Sequence, residues 1–254
     1  MKLHTQIFGE PSNQPTLVIA HGLFGSSRNW RAIARQLSRD RQVIALDMRN
    51  HGQSPFSDTH SYADMAGDLA EFLAGLDRPA DLLGHSMGGK AAMLLALQEP
   101  ALIQKLIVVD IAPVAYTHSH LDNIQALRAI DLGAISSRKD ADTILQADIP
   151  NEMTRGFLLQ SLNIDLAGHS WSLNLEALET HMSDIVGFPP PEGQFDGPAL
   201  FLSGGQSDYV TTDHHPRILT HFPQARFEVI EQAGHWVQAE APREFIKTVQ
   251  DYLS

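Results

Sequence analysis

The sequence predicts an α/β protein with a mostly parallel sheet, and three observations carry that prediction. Short strand-like runs alternate with longer helical patterns along most of the chain. The central runs are almost continuous in Val, Ile, Leu and Ala, as expected of strands that helices cover on both faces. The alternation stops near residue 114 and resumes near residue 197, which indicates one insertion. A chain of 254 residues can bury the core that such a domain needs.

Seven runs have the composition of strands and four segments have the apolar spacing of helices. The strand-like runs are KLHTQI, TLVIAHG, QVIALD, ADLLGH, KLIVVDI, PALFLSG and RFEVIE. The segments with apolar residues three and four positions apart are SSRNWRAIARQLS, SYADMAGDLAEFLAGL, SMGGKAAMLLALQE and APREFIKTVQDYL. We expect the four helices to cover the two faces of one sheet.

The inserted segment has a different character, because short helical patterns follow one another without a strand between them. They are LDNIQALRAIDL, DADTILQAD, NEMTRGFLLQSL and NLEALETHMSDI, followed by the Pro-rich GFPPPEG. The sequence therefore predicts a core domain from residues 1–113 and 197–254, with residues 114–196 forming a helical cap.

Composition excludes several classes of protein. Thirty acidic against 18 basic residues give a formal charge of −12, the wrong sign for binding a phosphate backbone. We see no apolar run of the roughly 18 residues that a membrane span requires, and the N-terminal residues lack the pattern of a secretory signal. The absence of cysteine excludes disulfides and thiolate catalysis. We expect a cytoplasmic protein whose partner is a small molecule.

The segment Gly84-His85-Ser86-Met87-Gly88 has the G-x-S-x-G pattern, with a strand-like run before it and a helical pattern after it. In that context the pattern predicts a strained turn that exposes a nucleophilic serine at a helix N-terminus. The chain also contains GHSWS at residues 168–172, which lacks the second glycine and any strand before it. We interpret Ser86 as a nucleophile and Ser170 as a residue of a cap loop.

A serine nucleophile needs a base and an acid that orients it. His235 follows the last strand-like run and precedes the last helix, as the chain order nucleophile, acid, histidine requires. Two aspartates are candidates for the acid: Asp110 ends KLIVVD, and Asp208 follows PALFLSG in a segment rich in turn-forming residues. The residues alone leave the choice between them open.

An oxyanion hole needs two backbone N–H donors, one of them from the residue after the nucleophile, Met87. The loop HGLFGS after the second strand-like run supplies the other, for which we expect Leu23, with Phe24 as the second choice. The pairs His118/His120 and His214/His215 lack the spacing of a zinc site and are interpreted as surface histidines. We expect no metal and no cofactor.

Taken together, HGLFGSSRNW, ALDMRNHGQSP, GHSMGGKAAMLLAL, VVDIAPV and AGHWVQAEAP resemble the α/β-hydrolase superfamily, and more closely its YbfF-type esterases and their mitochondrial relatives. The resemblance implies an α/β-hydrolase fold and a serine esterase or thioesterase acting on acyl esters. It places Ser86 and His235 at the matching positions and favours Asp110 over Asp208. Asp47, Arg49, Asn50 and His51 are interpreted as residues that brace their own loop.

Two rival functions remain open on the sequence. One is a lyase or C–C bond hydrolase similar to the menaquinone-pathway synthase, in which the same triad abstracts a proton and Asp208 is the expected acid. The other is a binding module that keeps the fold without catalysis. Labelling of Ser86 by a fluorophosphonate, together with turnover of a short ester, separates the esterase from both.

Overall fold

The computed structural model describes residues 1–166, 168–190 and 192–254. The strands found there are β1 (Thr5–Phe8), β2 (Leu17–Ala20), β3 (Val43–Leu46), β4 (Ala80–His85), β5 (Ile103–Val109), β6 (Leu162–Asn163), β7 (Ser170–Trp171), β8 (Ala199–Gly204) and β9 (Ala225–Ile230). The helices are α1 (Arg31–Leu37), α2 (Tyr62–Ala74), α3 (Met87–Gln98), α4 (Leu121–Ala129), α5 (Arg138–Leu145), α6 (Glu152–Leu158), α7 (Leu175–Thr180), α8 (Met182–Val186), α9 (His215–His221), α10 (Val237–Glu240) and α11 (Pro242–Leu253). No described helix is long and apolar enough to cross a bilayer.

The seven predicted strands form one sheet in the order β1-β3-β2-β4-β5-β8-β9. Strand β1 pairs antiparallel with β3, and the other six strands are parallel. Successive side chains of a strand point to opposite faces, so Leu17 and Ile19 enter one apolar cluster while Val18 and Ala20 enter another. Both clusters are buried, which is why the central strands consist of apolar residues throughout. The predicted α/β fold is confirmed.

Helices cover both faces of this sheet. Helices α2 and α3 pack together on the face of Val18, and α1 and α11 pack on the opposite face. Helix α3 is buried along nearly all of its length, and its sequence is accordingly apolar apart from Lys90 and the terminal Gln98. The serine that precedes α3 therefore lies between a buried strand and a buried helix at the centre of the domain.

Helix α9, between β8 and β9, was not predicted. Only Ile218 of its seven residues is buried, and the neighbouring Leu219 is 41% exposed. A helix with one anchoring side chain has no apolar period to detect. Strand β1 also begins later than expected, at Thr5, because its register with Leu46 of β3 starts there.

Between β5 and β8 the chain forms helices α4 to α8 and a small antiparallel sheet of β6 and β7. These elements share an apolar cluster of their own, to which Phe24 of the core contributes. The two-residue strands were not predicted, because they are too short to show alternation. Ser170 starts β7 and is exposed, instead of lying in a loop. Positions 167 and 191 of the predicted cap lie outside the described residues, and the division into core and cap stays a prediction.

Candidate active site

Ser86 occupies a strained turn between β4 and α3, with φ 52° and ψ −118°. Its N–H donates to the carbonyl of Val109, which continues the ladder between β4 and β5 by one residue. A Cβ at Gly84 would lie 2.3 Å from the Gly88 carbonyl oxygen, and one at Gly88 would lie 2.4 Å from the Ala20 carbonyl oxygen. Both glycines of the pattern are therefore required by backbone contacts, and the turn holds the serine side chain above the sheet.

His235 and Asp110 lie next to Ser86 in a continuous chain of hydrogen bonds. The Nε2 atom of His235 is 3.1 Å from Ser86 Oγ, and its Nδ1 atom is 2.7 Å from Asp110 Oδ2. With Nδ1–H donating to the carboxylate, Nε2 is left to accept the serine proton. The Asp110 side chain is fully buried, while that of His235 is 23% exposed. This geometry suits a histidine that takes a proton from Ser86 and later returns it.

The Asp110 carboxylate is held by the segment that follows β8. Its Oδ1 accepts from the Gly204 N–H at 3.1 Å, and its Oδ2 accepts from the Ser207 hydroxyl at 2.5 Å. Asp110 itself has φ 49°, an uncommon backbone conformation for a residue other than glycine. These donors compensate the burial of a carboxylate and keep it pointed at His235.

The alternative acid, Asp208, is exposed and has no described hydrogen bond to His235. Its two neighbours make the contacts instead: Ser207 donates to Asp110, and the Tyr209 ring stacks on the His235 ring with centroids 4.0 Å apart. Neither neighbour was predicted, because both lie in a segment whose composition indicates only a turn.

The loop after β2 approaches Ser86 closely, since a Cβ at Gly22 would lie 3.1 Å from the serine Cβ. The Phe24 N–H, the second choice for an oxyanion donor, is already occupied because it donates to His51 Nε2 at 3.2 Å. Among the described residues the N–H groups of Leu23 and Met87 have no protein acceptor. Both groups are therefore available to a ligand, and their role as oxyanion donors stays a prediction.

Two buried histidines, His51 and His85, brace the site in their neutral form. Burial lowers the pKa of His51 well below its usual value, and it lowers the pKa of His85 to about 3. Neutral His51 donates through Nδ1 to the Arg49 carbonyl and accepts from Phe24 through Nε2, so both ring nitrogens are used. His85 Nε2 donates to the His235 carbonyl at 2.9 Å.

The loop after β3 is braced as expected. The Asp47 carboxylate accepts from the N–H groups of Ser27 and Gln53, at 2.6 and 2.8 Å. Arg49 forms a buried ion pair with Asp68. The side chain of Asn50, at φ 64°, donates to the Thr59 carbonyl in the same loop and accepts from Asn174 of the inserted segment. These residues support the turn that carries His51, and through it the turn that carries Leu23.

Ser86 opens into a cavity of about 260 Å³. Its lining comes from both the core and the segment between β5 and β8: Gly22, Leu23, Phe24, His85, Ser86, His120, Asn123, Thr154, Phe157, Leu158, Tyr209, His235 and Trp236. Phe157 and Leu158 face this cavity, while Ile124 is buried in the apolar cluster of the inserted segment and Leu121 packs against that cluster. The cavity can hold an apolar group beside a reacting carbonyl.

The interpretation of the paired histidines as surface residues is wrong for His120, which is half-buried and lines the cavity. Burial lowers its pKa to about 4. His118 is exposed and accepts from the Tyr209 hydroxyl at 2.7 Å, and His215 packs on Phe227. Within the described parts of the chain, no group of three or more His, Asp or Glu side chains could hold a metal ion.

Comparisons with known proteins identify the family of the chain. Residues 17–248 match the model of the Alpha/beta hydrolase family. The chain is 42% identical over 250 residues to the mouse protein named sn-1-specific diacylglycerol lipase ABHD11, covering 94% of this chain and 81% of the relative. It is 37% identical over 257 residues to Esterase YbfF of Escherichia coli K12, covering 100% of this chain and 99% of the relative.

A solved structure described as a marine microorganism esterase superposes with a TM-score of 0.94. It is 38% identical in sequence, and the match covers 99% of both chains. The family match, the two relatives and this structure point to the same fold and the same class of chemistry. The chain therefore belongs to the alpha/beta hydrolase family, in the group of its esterases and lipases.

Proposed function

We propose that this protein is a serine esterase that cleaves acyl esters or acyl thioesters through an acyl-enzyme on Ser86. His235 accepts the Ser86 proton while Oγ attacks the acyl carbonyl, and Asp110 orients the imidazole and stabilises its charged form. His235 then protonates the leaving alcohol or thiol. Water repeats the two steps on the acyl-enzyme and releases the acid. The continuous bonding from Ser86 through His235 to Asp110 is the observation that carries this proposal.

The backbone N–H groups of Leu23 and Met87 are the proposed oxyanion donors. Both are free of protein acceptors within the described ranges, and both residues line a small space of about 20 Å³ beside Ser86. The Met87 N–H also begins α3, where the helix dipole favours negative charge. A negative charge that develops on the carbonyl oxygen in the transition state would be stabilised by donors already in place.

We further propose that residues 114–196 act as a cap that selects the acyl or alcohol group. Support comes from Phe157 and Leu158, which close one side of the cavity with apolar surface. A volume of about 260 Å³ lies just below the range of roughly 300–1,000 Å³ typical of small-molecule sites. Short and medium acyl groups are therefore the expected substrates. The cytoplasmic location and the lack of a cofactor stay predictions.

The rival functions receive less support from the same geometry. The lyase interpretation relied on Asp208 as the acid, and that side chain is exposed and unconnected to His235 in the described bonds. The binding-module interpretation does not account for the hydrogen bonds that connect the buried Asp110 carboxylate to His235 and His235 to Ser86. The chemical activity of Ser86 decides among the three.

The test is a panel of p-nitrophenyl esters and acyl-CoA thioesters of graded chain length, assayed on the wild type and on Ser86→Ala. We expect turnover of several short esters by the wild type and a loss of turnover to the background rate in the variant. Ser170→Ala is the matched control, since that serine also follows Gly-His, and it should keep wild-type turnover. Turnover that survives in Ser86→Ala would refute the proposal.

A further inference from the structure

Lys90, in the first turn of α3, is among the largest fully buried side chains, with 1% exposure. Among the described residues no carboxylate pairs with it. A buried cation without an anion is costly, because the charge loses its hydration. Burial accordingly lowers the pKa of Lys90 to about 7. The triad does not use this side chain, so its burial calls for a separate explanation.

The ammonium group is held by carbonyl oxygens and aromatic rings. Nζ donates to the Val186 and Gly187 carbonyls at 2.9 and 2.5 Å. It also lies over the rings of Tyr116 and Tyr62, 4.8 and 5.5 Å from their centroids. Carbonyls at a helix end lack intrahelical partners, and a cation above a tyrosine ring is attracted to its electrons.

These contacts join the two ends of the segment between β5 and β8. The Val186 carbonyl, at the end of α8, accepts from the Tyr116 N–H at 2.9 Å as well as from Lys90. The Tyr62 hydroxyl, on α2, donates to the Ile185 carbonyl at 2.6 Å. The chain enters the segment near Tyr116 and leaves it near Gly187, so Lys90 lies where entry and exit meet.

The same point is connected to the catalytic residues. The Lys90 N–H donates to the Ser86 carbonyl at 3.0 Å, so the lysine lies one helical turn from the nucleophile. The Tyr116 hydroxyl donates to the carbonyl of Tyr209, whose ring stacks on His235. A small space of about 20 Å³ beside Ser86 is lined by Lys90 together with Tyr62, Tyr116 and Val186.

We propose that Lys90 is a positioning residue that ties both ends of the cap to the nucleophile helix and thereby sets the shape of the substrate site. It touches no reacting atom. The inference rests on the proposed esterase function for its kinetic consequence, but the tie itself is a property of the fold. Loss of the ammonium should release the cap ends and weaken substrate binding, while the serine, histidine and aspartate stay in place.

The test compares Lys90→Met with Lys105→Met. Lys105, on β5, is a matched control: its Nζ donates to the carbonyls of Tyr252 and Ser254 and lies over the Tyr252 ring, far from Ser86. Methionine is unbranched and apolar, so it suits the buried stem of Lys90. Hydrogen exchange is measured around Tyr116 and Val186, and kcat and KM are measured with a short ester.

For Lys90→Met we expect faster exchange at both ends of the cap, KM raised about tenfold and kcat within about twofold of wild type, on the scale of a charge-assisted hydrogen bond. Lys105→Met should alter exchange only near its own contacts. Tyr62→Phe, which removes the hydrogen bond to Ile185, should speed exchange in the same peptides and raise KM, each by a smaller factor. This variant tests the proposal if Lys90→Met does not fold.

Unchanged exchange at the cap ends would refute the claim that Lys90 holds them on α3. Faster exchange with an unchanged KM would refute its role in positioning the substrate site. Both failures are distinct from failure of the proposed function, in which the wild type itself would not hydrolyse esters. The exchange measurement needs no substrate, so it reports on Lys90 in either case.

Discussion

Two regions of the molecule are built in different ways: the carboxyl ends of the parallel strands, where Ser86 lies, and the segment between β5 and β8. At the strand ends, the N–H groups of Ser86 and Asp110 continue the hydrogen-bond ladders of the sheet. The Asp110 carboxylate also accepts from Gly204 and Ser207. The inserted segment has short helices capped by Ser137, Asn151 and Asn174 around a smaller apolar cluster.

The two regions also differ in how completely their side chains are buried. In the inserted segment Ile144, Met153 and Ile164 are 45%, 58% and 37% exposed, whereas strands β2 to β5 bury almost every side chain. Local stability follows burial and hydrogen bonding. We propose that the residues at the carboxyl ends of the parallel strands determine which reaction occurs, while the inserted segment determines which molecule is accepted. Substitutions in the two regions should therefore affect different kinetic constants.

After the loss of the nucleophile itself, the largest effect is expected at the acid. Asp110→Asn should lower kcat about 10⁴-fold, because the amide cannot hold His235 in the tautomer that accepts the serine proton. Asp208→Asn is the matched control and should stay within about twofold of wild type. Steady-state kinetics with one short ester measure both. The assignment is wrong if the Asp208 variant suffers the larger loss.

A smaller effect is expected at the brace of the oxyanion loop. His51→Leu removes the acceptor of the Phe24 N–H, which should displace the neighbouring Leu23 donor and lower kcat about 10²-fold. KM should change by less than about threefold, since the cavity wall is kept. Thermal unfolding checks that the variant is folded. An increase in KM with an unchanged kcat would place His51 in substrate binding instead.

The smallest effect is expected in the inserted segment. Phe157 and Trp236, with ring centroids 5.3 Å apart, separate the cavity at Ser86 from an outer groove of about 460 Å³ that Met153 also lines. Phe157→Ala should join the two spaces. We expect kcat/KM to rise about fourfold for each acyl methylene that reaches the groove, with short esters unaffected.

Met153→Ala, which changes only the outer groove, is the control for Phe157→Ala and should leave the chain-length preference nearly unchanged. A panel of esters of increasing length measures both variants. If Phe157→Ala lowers activity on every ester alike, the residue supports the site without selecting substrates, and the contrast between the two regions is weaker than proposed.

The same contrast explains which features the sequence could predict. The sheet, Ser86 and His235 follow from local patterns, because a buried strand, a glycine turn and a chain order are all visible in the residues. Asp110 and Asp208 both end or follow strands, so the residues alone leave the choice open. The family resemblance favours Asp110, and the fold turns Ser207 toward that residue. His120, Tyr209 and Lys90 depend on packing between the inserted segment and the core, for which the sequence contains no periodic signal.

The central claim is that Ser86 forms an acyl-enzyme, and it is tested most directly by trapping that species. The wild type is mixed with a p-nitrophenyl ester, quenched with acid and mapped by peptide mass spectrometry, in parallel with Ser86→Ala. We predict an acyl group on Ser86 that forms together with a burst of p-nitrophenol, and no adduct in the variant. Steady turnover by the wild type without an adduct on Ser86 would contradict the account.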